Sequence, residues 1–106
     1  MPKYLWQVSY TAEGARGLLE QGGSARRAAI TEMVESVGGR VEACYFALGH
    51  DDLIVLGEVP DEAAAAALSV RTAASGAATS RAVALITPEQ LDEAVRRDVD
   101  YRPPGS

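Results

Sequence analysis

The order of hydrophobic patterns predicts an α+β domain in which a four-stranded antiparallel sheet carries its helices on one face. Three observations lead to this prediction. Apolar or alternating runs precede helical stretches, one pair of apolar runs is separated only by a short polar turn, and glycine or proline marks each change of pattern. With 106 residues, 47% of them hydrophobic and 24% charged, the chain has the size and balance of one globular domain.

Residues 3–10, KYLWQVSY, form the first predicted strand because they are rich in aromatic and β-branched side chains. Successive strand residues point to opposite faces, so Trp6 and Tyr10 share one face with Tyr4 and Val8.

Two helical segments follow and are separated by a pair of glycines. Thr11 is the expected cap of a weak first segment over 13–21. The second segment, 25–37, carries a single apolar stripe, and Gly38-Gly39 ends it. The stripe consists of Ile30, Met33, Val34 and Val37.

A hairpin and a third helical segment come next. The runs 40–48 and 53–59 are the predicted strands of the hairpin, joined by a turn rich in glycine and aspartate. The alanine-rich helix that follows extends to Gly76, and Leu68 and Val70 are its expected packing residues.

The last elements complete a known strand and helix order. A fourth strand is predicted over 77–86, and Thr87 and Gln90 have the spacing of a capping box at the start of a final helix. The order is the split βαββαβ pattern of a ferredoxin-like fold. We expect one domain over 1–97 and a flexible tail over 98–106.

Both faces of the predicted sheet are apolar, although the helices can cover only one. In the third strand, Leu53 and Val55 point to one side, and Ile54 and Leu56 point to the other. A strand with one face in water should alternate apolar and polar residues. We therefore expect a homodimer, or a larger oligomer, in which sheets stack through their helix-free faces.

The composition argues against several function classes. A net charge of -5 opposes binding to phosphate backbones, so no nucleic-acid partner is expected. Cys44 is the only cysteine, which leaves no intrachain disulfide and no cysteine-based zinc site. The sequence shows neither a secretory signal nor an apolar run long enough for a membrane span. The expected location is the cytoplasm, without membrane contact.

The stretch Gly49-x-x-Asp52, followed by the apolar Leu53-Ile54-Val55-Leu56, resembles a motif of the GYD domain family, part of the dimeric α/β-barrel superfamily. That family is named for a Gly-x-Tyr-Asp corner between its second and third strands, and Gly49 and Asp52 match the ends of this corner. Asp51 stands where the motif has tyrosine. Further stretches are similar to family motifs in the same order, namely Thr11-Ala-Glu-Gly14, Gly38-Gly39 and Thr87-Pro88-Glu89. The resemblance covers nearly the whole chain and implies the ferredoxin-like fold and a dimer, without an assigned reaction.

The turn sequence GHDD contains the only histidine of the chain. His50 is a candidate proton carrier for catalysis, with Asp51 or Asp52 to orient it. The competing interpretation is structural: Gly49 would supply a positive φ angle, and the Asp52 carboxylate would accept backbone N–H groups and fix the hairpin. Asp52 is otherwise a candidate ligand-binding residue.

Glu58 and four aromatic residues are the remaining candidates. Glu58 lies on an apolar strand face where an unpaired carboxylate is costly, so it either reaches solvent at the sheet margin or lines a cleft as a second catalytic candidate. Trp6, Tyr10 and Tyr45, with Tyr4, are candidate walls of a ligand pocket in such a cleft. Ordinary core and interface packing is the competing interpretation for these aromatics.

The sequence contains few of the residues and motifs on which conventional catalysis or metal binding depends. One histidine and one cysteine are too few for a protein-ligated metal, and no phosphate-binding glycine loop or activated nucleophile is visible, so we expect no metal and no cofactor. Three hypotheses stay open: a small-molecule-binding or accessory module, a cofactor-free monooxygenase-like or isomerase-like enzyme acting in a cleft beside the sheet, and a purely structural oligomer.

Overall fold

The computed structural model describes residues 1–106 and contains one four-stranded sheet and three helices. In chain order the elements are β1 (Lys3–Tyr10), α1 (Ala12–Ser36), β2 (Arg40–Phe46), β3 (Leu53–Glu58), α2 (Glu62–Ser75), β4 (Ala78–Leu85) and α3 (Pro88–Val95). Neighbouring strands are antiparallel, and their order across the sheet is β2-β3-β1-β4. The predicted α+β, ferredoxin-like fold class is confirmed.

The long helix α1 is kinked where the glycine pair predicts an interruption. Gly22 has φ 79 and ψ 176 inside the element, which is not helical geometry. The Thr11 hydroxyl accepts the N–H of Gly14 at 3.2 Å and caps the start of the helix. The helix ends one residue before Val37, and Gly38 then takes a left-handed φ of 84. The two predicted helical segments, the Thr11 cap and the glycine that ends the second segment are therefore present.

The packing face of α2 differs from the prediction at one position. The Asp61 carboxylate caps its start, and Gly76 ends it with a φ of 73. Leu68 is buried as expected, but Val70 is 66% exposed, so the prediction for Val70 is wrong. Residues two apart on a helix do not share a face, whereas Ala65, three residues before Leu68, does and is buried.

The sheet has one face covered by helices and one that is bare. α1 packs against β2 and β1, and α2 packs against β4. The helix face includes Tyr4, Trp6, Val8, Tyr10, Leu53 and Val55. The bare side, called the open face below, carries Leu5, Tyr45, Ile54, Leu56, Val83 and Leu85. The predicted assignment of the β1 and β3 side chains to the two faces of the sheet is thus confirmed.

The hydrophobic core lies between the helix face and the helices. Its buried members are Tyr4, Trp6, Ile30, Val34, Leu53, Val55, Val59, Ala65 and Leu68. The Tyr4 and Trp6 rings stack with centroids 5.6 Å apart. Gly57 makes room for this stack, because a Cβ at that position would lie 3.3 Å from Trp6 Cζ3 and 2.6 Å from the Arg40 carbonyl oxygen. The core therefore fixes the position of the Trp6 indole on the sheet.

The C-terminal part of the chain packs least. α3 begins with the predicted capping box, in which Thr87 and Gln90 exchange both side-chain hydrogen bonds, yet none of its residues is buried. Residues 96–106 contain no strand or helix. None of the helices combines the length and the apolar character that crossing a bilayer requires.

Candidate functional site

A cavity of about 250 Å³ lies between the helix face of the sheet and the two helices that cover it. β1, β3 and β4 form its floor, and α1 and α2 form its walls. Its lining residues on the sheet are Trp6, Val8, Tyr10, Leu53, Val55, Ala78 and Ser80, and on the helices they are Arg26, Ile30, Met33, Val34, Leu68, Ser69, Arg71, Thr72 and Ser75, with Ala77 between α2 and β4. Most of these side chains are apolar, so the cavity is a predominantly hydrophobic space.

Several side chains that α2 and β4 contribute to the cavity lining are small. They are Ser69, Thr72 and Ser75 on α2 and Ala78 and Ser80 on β4. α1 packs toward β2 and β1 on the other side, where it fills its share of space with Ile30 and Val34. The short side chains on one wall leave a gap above the middle of the sheet.

Two nitrogen atoms of lining residues are buried and have no hydrogen-bond acceptor. They are Nε1 of Trp6, a residue only 6% exposed, and Nε of Arg26. Buried donors in folded proteins almost always have a partner, and leaving one without costs about 1–3 kcal/mol. An acceptor from outside the chain is the simplest way to supply the missing partners.

The charges of the lining have one sign. Arg26 and Arg71 are the only charged side chains among the lining residues, and neither forms an ion pair within the chain. Arg26 projects from α1 and Arg71 from α2, on the two walls. The two positive charges of the lining contrast with the acidic net charge of the whole protein.

Tyr10 adds a hydroxyl to the lining. Burial raises the pKa of Tyr10, and the charge of Arg26 lowers it in part. Cys44 and Asp52 raise this pKa further, so the phenol stays protonated to a higher pH than an ordinary tyrosine does. Its hydroxyl makes no hydrogen bond within the chain. Tyr10 is therefore available as a neutral donor at the β1 end of the cavity.

Asp52 lies at the hairpin corner, which is formed by residues 49–52. Its carboxylate accepts the N–H of Tyr10 at 2.8 Å, and its own N–H donates to the Val8 carbonyl at 2.9 Å. The side chain thus extends the β1–β3 ladder by one step. Gly49 does not have a positive φ, so that prediction is wrong: the turn takes its shape from Asp52 and its backbone, and a Cβ at Gly49 would meet nothing.

Asp51, in place of the motif tyrosine, joins the corner to the outer strand β4. Its carboxylate accepts from Arg81 at 2.6 Å and from the Ser9 hydroxyl at 3.1 Å. Desolvation raises the pKa of Asp51, but these two hydrogen bonds and the charges of Arg81 and His50 outweigh it and leave the pKa below its usual value. His50 Nδ1 lies 3.7 Å from the carboxylate, and the His50 side chain is 89% exposed.

Glu58 and Tyr45 lie on the open face, away from the cavity. The Glu58 carboxylate is 3.2 Å from Arg40 and 3.8 Å from Lys3, at the end of the sheet where the polar side chains of β1 and β2 meet. Tyr45 pairs in register with Ile54 and is 71% exposed. The four predicted aromatics therefore do not form a single pocket.

The structure brings together only part of the predicted site. Trp6 and Tyr10 line the cavity, while His50, Glu58, Tyr45 and Asp52 lie outside its lining. No group of three or more histidine, cysteine, aspartate or glutamate side chains is arranged to hold a metal ion.

Sequence reasoning missed Arg26 and Arg71. The pair Arg26-Arg27 looks like a solvated helix face, but Arg26 precedes Ile30 by four residues and so belongs to the apolar stripe of α1. Arg71 follows the buried Leu68 by three residues in the same way. The sequence signal for Arg26 and Arg71 is an arginine three or four residues from a buried apolar residue of the same helix.

The comparison with known families agrees with this architecture. Neither a curated protein nor a solved structure shows significant similarity to the chain. The model of the GYD domain matches residues 4–95, from the start of β1 to the end of α3. Because this match spans most of the chain, the protein belongs to the GYD domain family.

Proposed function

We propose that this protein is a small-molecule-binding module and that the cavity between sheet and helices is its binding site. The observation that carries the proposal is an apolar cavity of about 250 Å³ whose lining contains buried, unpartnered N–H donors. Ligand sites are typically concave and apolar with a few polar groups that fix orientation. An apolar cavity of about 150 Å³ can hold benzene, so the larger space here suits a monocyclic organic molecule.

The ionisable groups of the lining favour binding over acid–base catalysis. They are Tyr10, whose pKa is raised by burial, and two arginines, which remain protonated in proteins. None of the three is a base at neutral pH, and a general base has to lie within hydrogen-bond reach of the proton it removes. The candidate proton carriers His50 and Glu58 lie outside the lining.

The second part of the proposal is that the functional unit is a homodimer formed through the open face. β1 and β3 are the central strands, and Leu5 and Leu56 are directly paired on the open face there. Tyr45 is 71% and Val83 41% exposed on the outer strands of the same face. Exposed apolar side chains at neighbouring positions of a sheet are typical of an interaction site, and a second copy offers a matching surface.

The C-terminal part of the chain gives an independent reason for a second copy. The radius of gyration is 16.9 Å, whereas a compact chain of about 100 residues has about 13 Å. α3 and its flanks carry exposed apolar side chains: Ile86, Leu91, Val95, Val99 and Tyr101. A partner protomer would bury this surface.

Binding in the cavity can be measured through Trp6, the only tryptophan of the chain and a lining residue. A screen of monocyclic organic compounds should give hits that change the Trp6 emission and raise the melting temperature. Ser69→Phe fills the cavity and should abolish both responses, whereas Val70→Phe, on the adjacent exposed position of α2, should keep them. Hits that bind Ser69→Phe as well as wild type would refute the cavity as the site.

The dimer is tested by light scattering after size-exclusion chromatography. At micromolar concentration wild type should elute with twice the 11.1 kDa mass of the chain. Leu56→Lys places a charge at the centre of the open face and should give monomers, while Val70→Lys on the helix layer should leave the dimer intact. A stable wild-type monomer would sink this part of the proposal and would leave the binding module standing.

A further inference from the structure

We infer that the ligand of the cavity is a small organic oxyanion, a carboxylate with an apolar body, held by Arg26 and Arg71. This inference rests on the proposed binding function and names the ligand class for the same cavity. It follows from three features of the lining: the sign of its charges, the unmet hydrogen-bonding capacity of its donors, and the apolar floor beneath them.

Arg26 lacks a counter-charge within the chain. Its side chain is half-buried, and its Nε is removed from solvent without an acceptor. A buried N–H donor on a charged group is costly when no acceptor is paired with it. No aspartate or glutamate lines the cavity, so the chain itself provides no counter-charge there. An anionic ligand supplies it.

The placement of the two arginines favours a carboxylate. Arg26 lies on the α1 wall and Arg71 on the α2 wall, so an anion between the helices is attracted from both sides. A guanidinium presents its N–H groups in a fork that matches the two oxygens of a carboxylate, and such charge-assisted pairs are about twice as strong as neutral hydrogen bonds. Arg71 is exposed, which places it at the entrance, where it can meet an incoming anion.

The apolar floor of the cavity indicates the chemistry of the rest of the ligand. Leu53 and Val55 are buried apolar residues on the sheet side of the cavity, and Ile30 and Met33 add apolar lining from α1. Trp6 adds a flat apolar ring together with its unpartnered Nε1 donor. A compound with a ring or a branched alkyl group and one carboxylate satisfies both parts of the cavity.

The experiment compares two probes of nearly the same shape: 4-isopropylbenzoate, which is ionised at neutral pH and offers two acceptor oxygens, and its uncharged amide, in which one oxygen is replaced by an NH2 donor. Titration followed by Trp6 fluorescence should give an affinity about tenfold higher for the acid than for the amide, as expected for a charge-assisted pair. The double variant Arg26→Gln/Arg71→Gln should lose this preference and bind acid and amide about equally, with little change for the amide.

Arg27→Gln is the matched control, because it removes the same charge from the adjacent position of α1 and does not line the cavity. It should keep the preference for the acid. Since Arg71 is exposed, Arg71→Gln alone is expected to fold and should give a partial loss even if the double variant does not fold.

The outcomes separate the inference from the function on which it rests. If acid and amide bind wild type equally and both are lost in Ser69→Phe, the cavity binds small molecules but the oxyanion inference is overturned. A preference for the acid that survives in Arg71→Gln and in the double variant also overturns it, because the anion is then held elsewhere. If neither probe binds and the wider screen gives no hit either, the binding function fails as well.

Discussion

The hairpin corner and the cavity adjoin the same end of β1, but their polar groups differ in whether they have hydrogen-bond partners within the chain. At the corner, the Asp52 and Asp51 carboxylates accept from the backbone of β1, from a serine and from an arginine, so every contact stays within the chain. In the cavity, buried donors of Trp6 and Arg26 have no acceptor. Polar groups that satisfy one another stabilise a fold, whereas buried donors without partners are open to an acceptor from outside the chain, such as a ligand or a water.

The largest effect that this comparison predicts at the corner is for Asp52→Ala. The substitution removes a charged acceptor from the Tyr10 N–H, and hydrogen bonds to charged groups contribute about 1.5–3 kcal/mol, with less expected at an exposed position. We expect the free energy of unfolding to fall by about 1–2 kcal/mol in urea titrations.

Asp52→Asn is the control for this variant. It retains an oxygen that can accept the same N–H, so it should recover most of the lost stability. Ligand binding in the cavity should persist in both variants once they are folded. An Asp52→Ala protein as stable as wild type would show that the corner does not depend on this contact.

A smaller effect is expected at Asp51, and it depends on pH. Because the pKa of Asp51 is below its usual value in the folded state, the carboxylate stabilises the fold at pH values above the ordinary aspartate pKa of about 3.9. This contribution is lost as the pH falls through the lower folded pKa. The Arg81 side chain is 60% exposed, and such partly solvated pairs contribute little.

The measurement compares wild type with Asp51→Asn in urea at neutral pH and at successively lower pH. The stability difference between them should be present at neutral pH and shrink under acid conditions below the ordinary aspartate pKa, because wild type then also loses the charge. Arg81→Gln should reproduce the behaviour of Asp51→Asn. A difference that stays constant to the lowest pH would contradict the ion pair as its source.

Tyr10→Phe tests the cavity side of the comparison and should change stability least among the cavity residues. Its hydroxyl has no partner within the chain, so the free energy of unfolding should change by less than about 0.5 kcal/mol. A loss of unfolding free energy well above this value would reveal an intramolecular partner for the hydroxyl. The Tyr10 hydroxyl would then be paired within the chain, as the carboxylates of the corner are. The check is a urea titration without added ligand.

Sequence patterns predicted the structural features that depend on residues close together along the chain. The period of two placed Trp6 and Tyr10 on one face, and turn chemistry pointed to Asp52 as a backbone acceptor. The pair Asp51–Arg81 joins residues 30 positions apart, and the arginines of the cavity come from different helices. Such contacts depend on how the elements pack.

The wrong predictions have local causes. Alanine is compatible with either side of a helix, so the alanine run of α2 does not show from the sequence which side packs, and the prediction for Val70 fails for this reason. The glycine of the corner motif suggested a positive φ because glycine favours it, although glycine adopts other conformations as readily. Patterns of residue type therefore predict the faces of elements better where the side chains differ strongly in polarity.

Gly49→Ala gives the smallest expected effect and tests how much of the corner depends on its glycine. Gly49 lacks a positive φ, and an added Cβ would meet no atom within 4 Å, so stability should change by less than about 0.5 kcal/mol. Gly14→Ala is the matched comparison, since its Cβ would collide with the Ala77 carbonyl oxygen and should cost about 1–3 kcal/mol. If Gly49→Ala destabilised the protein as much as Gly14→Ala, the corner would rely on glycine after all, and Asp52 would not be the residue that fixes it.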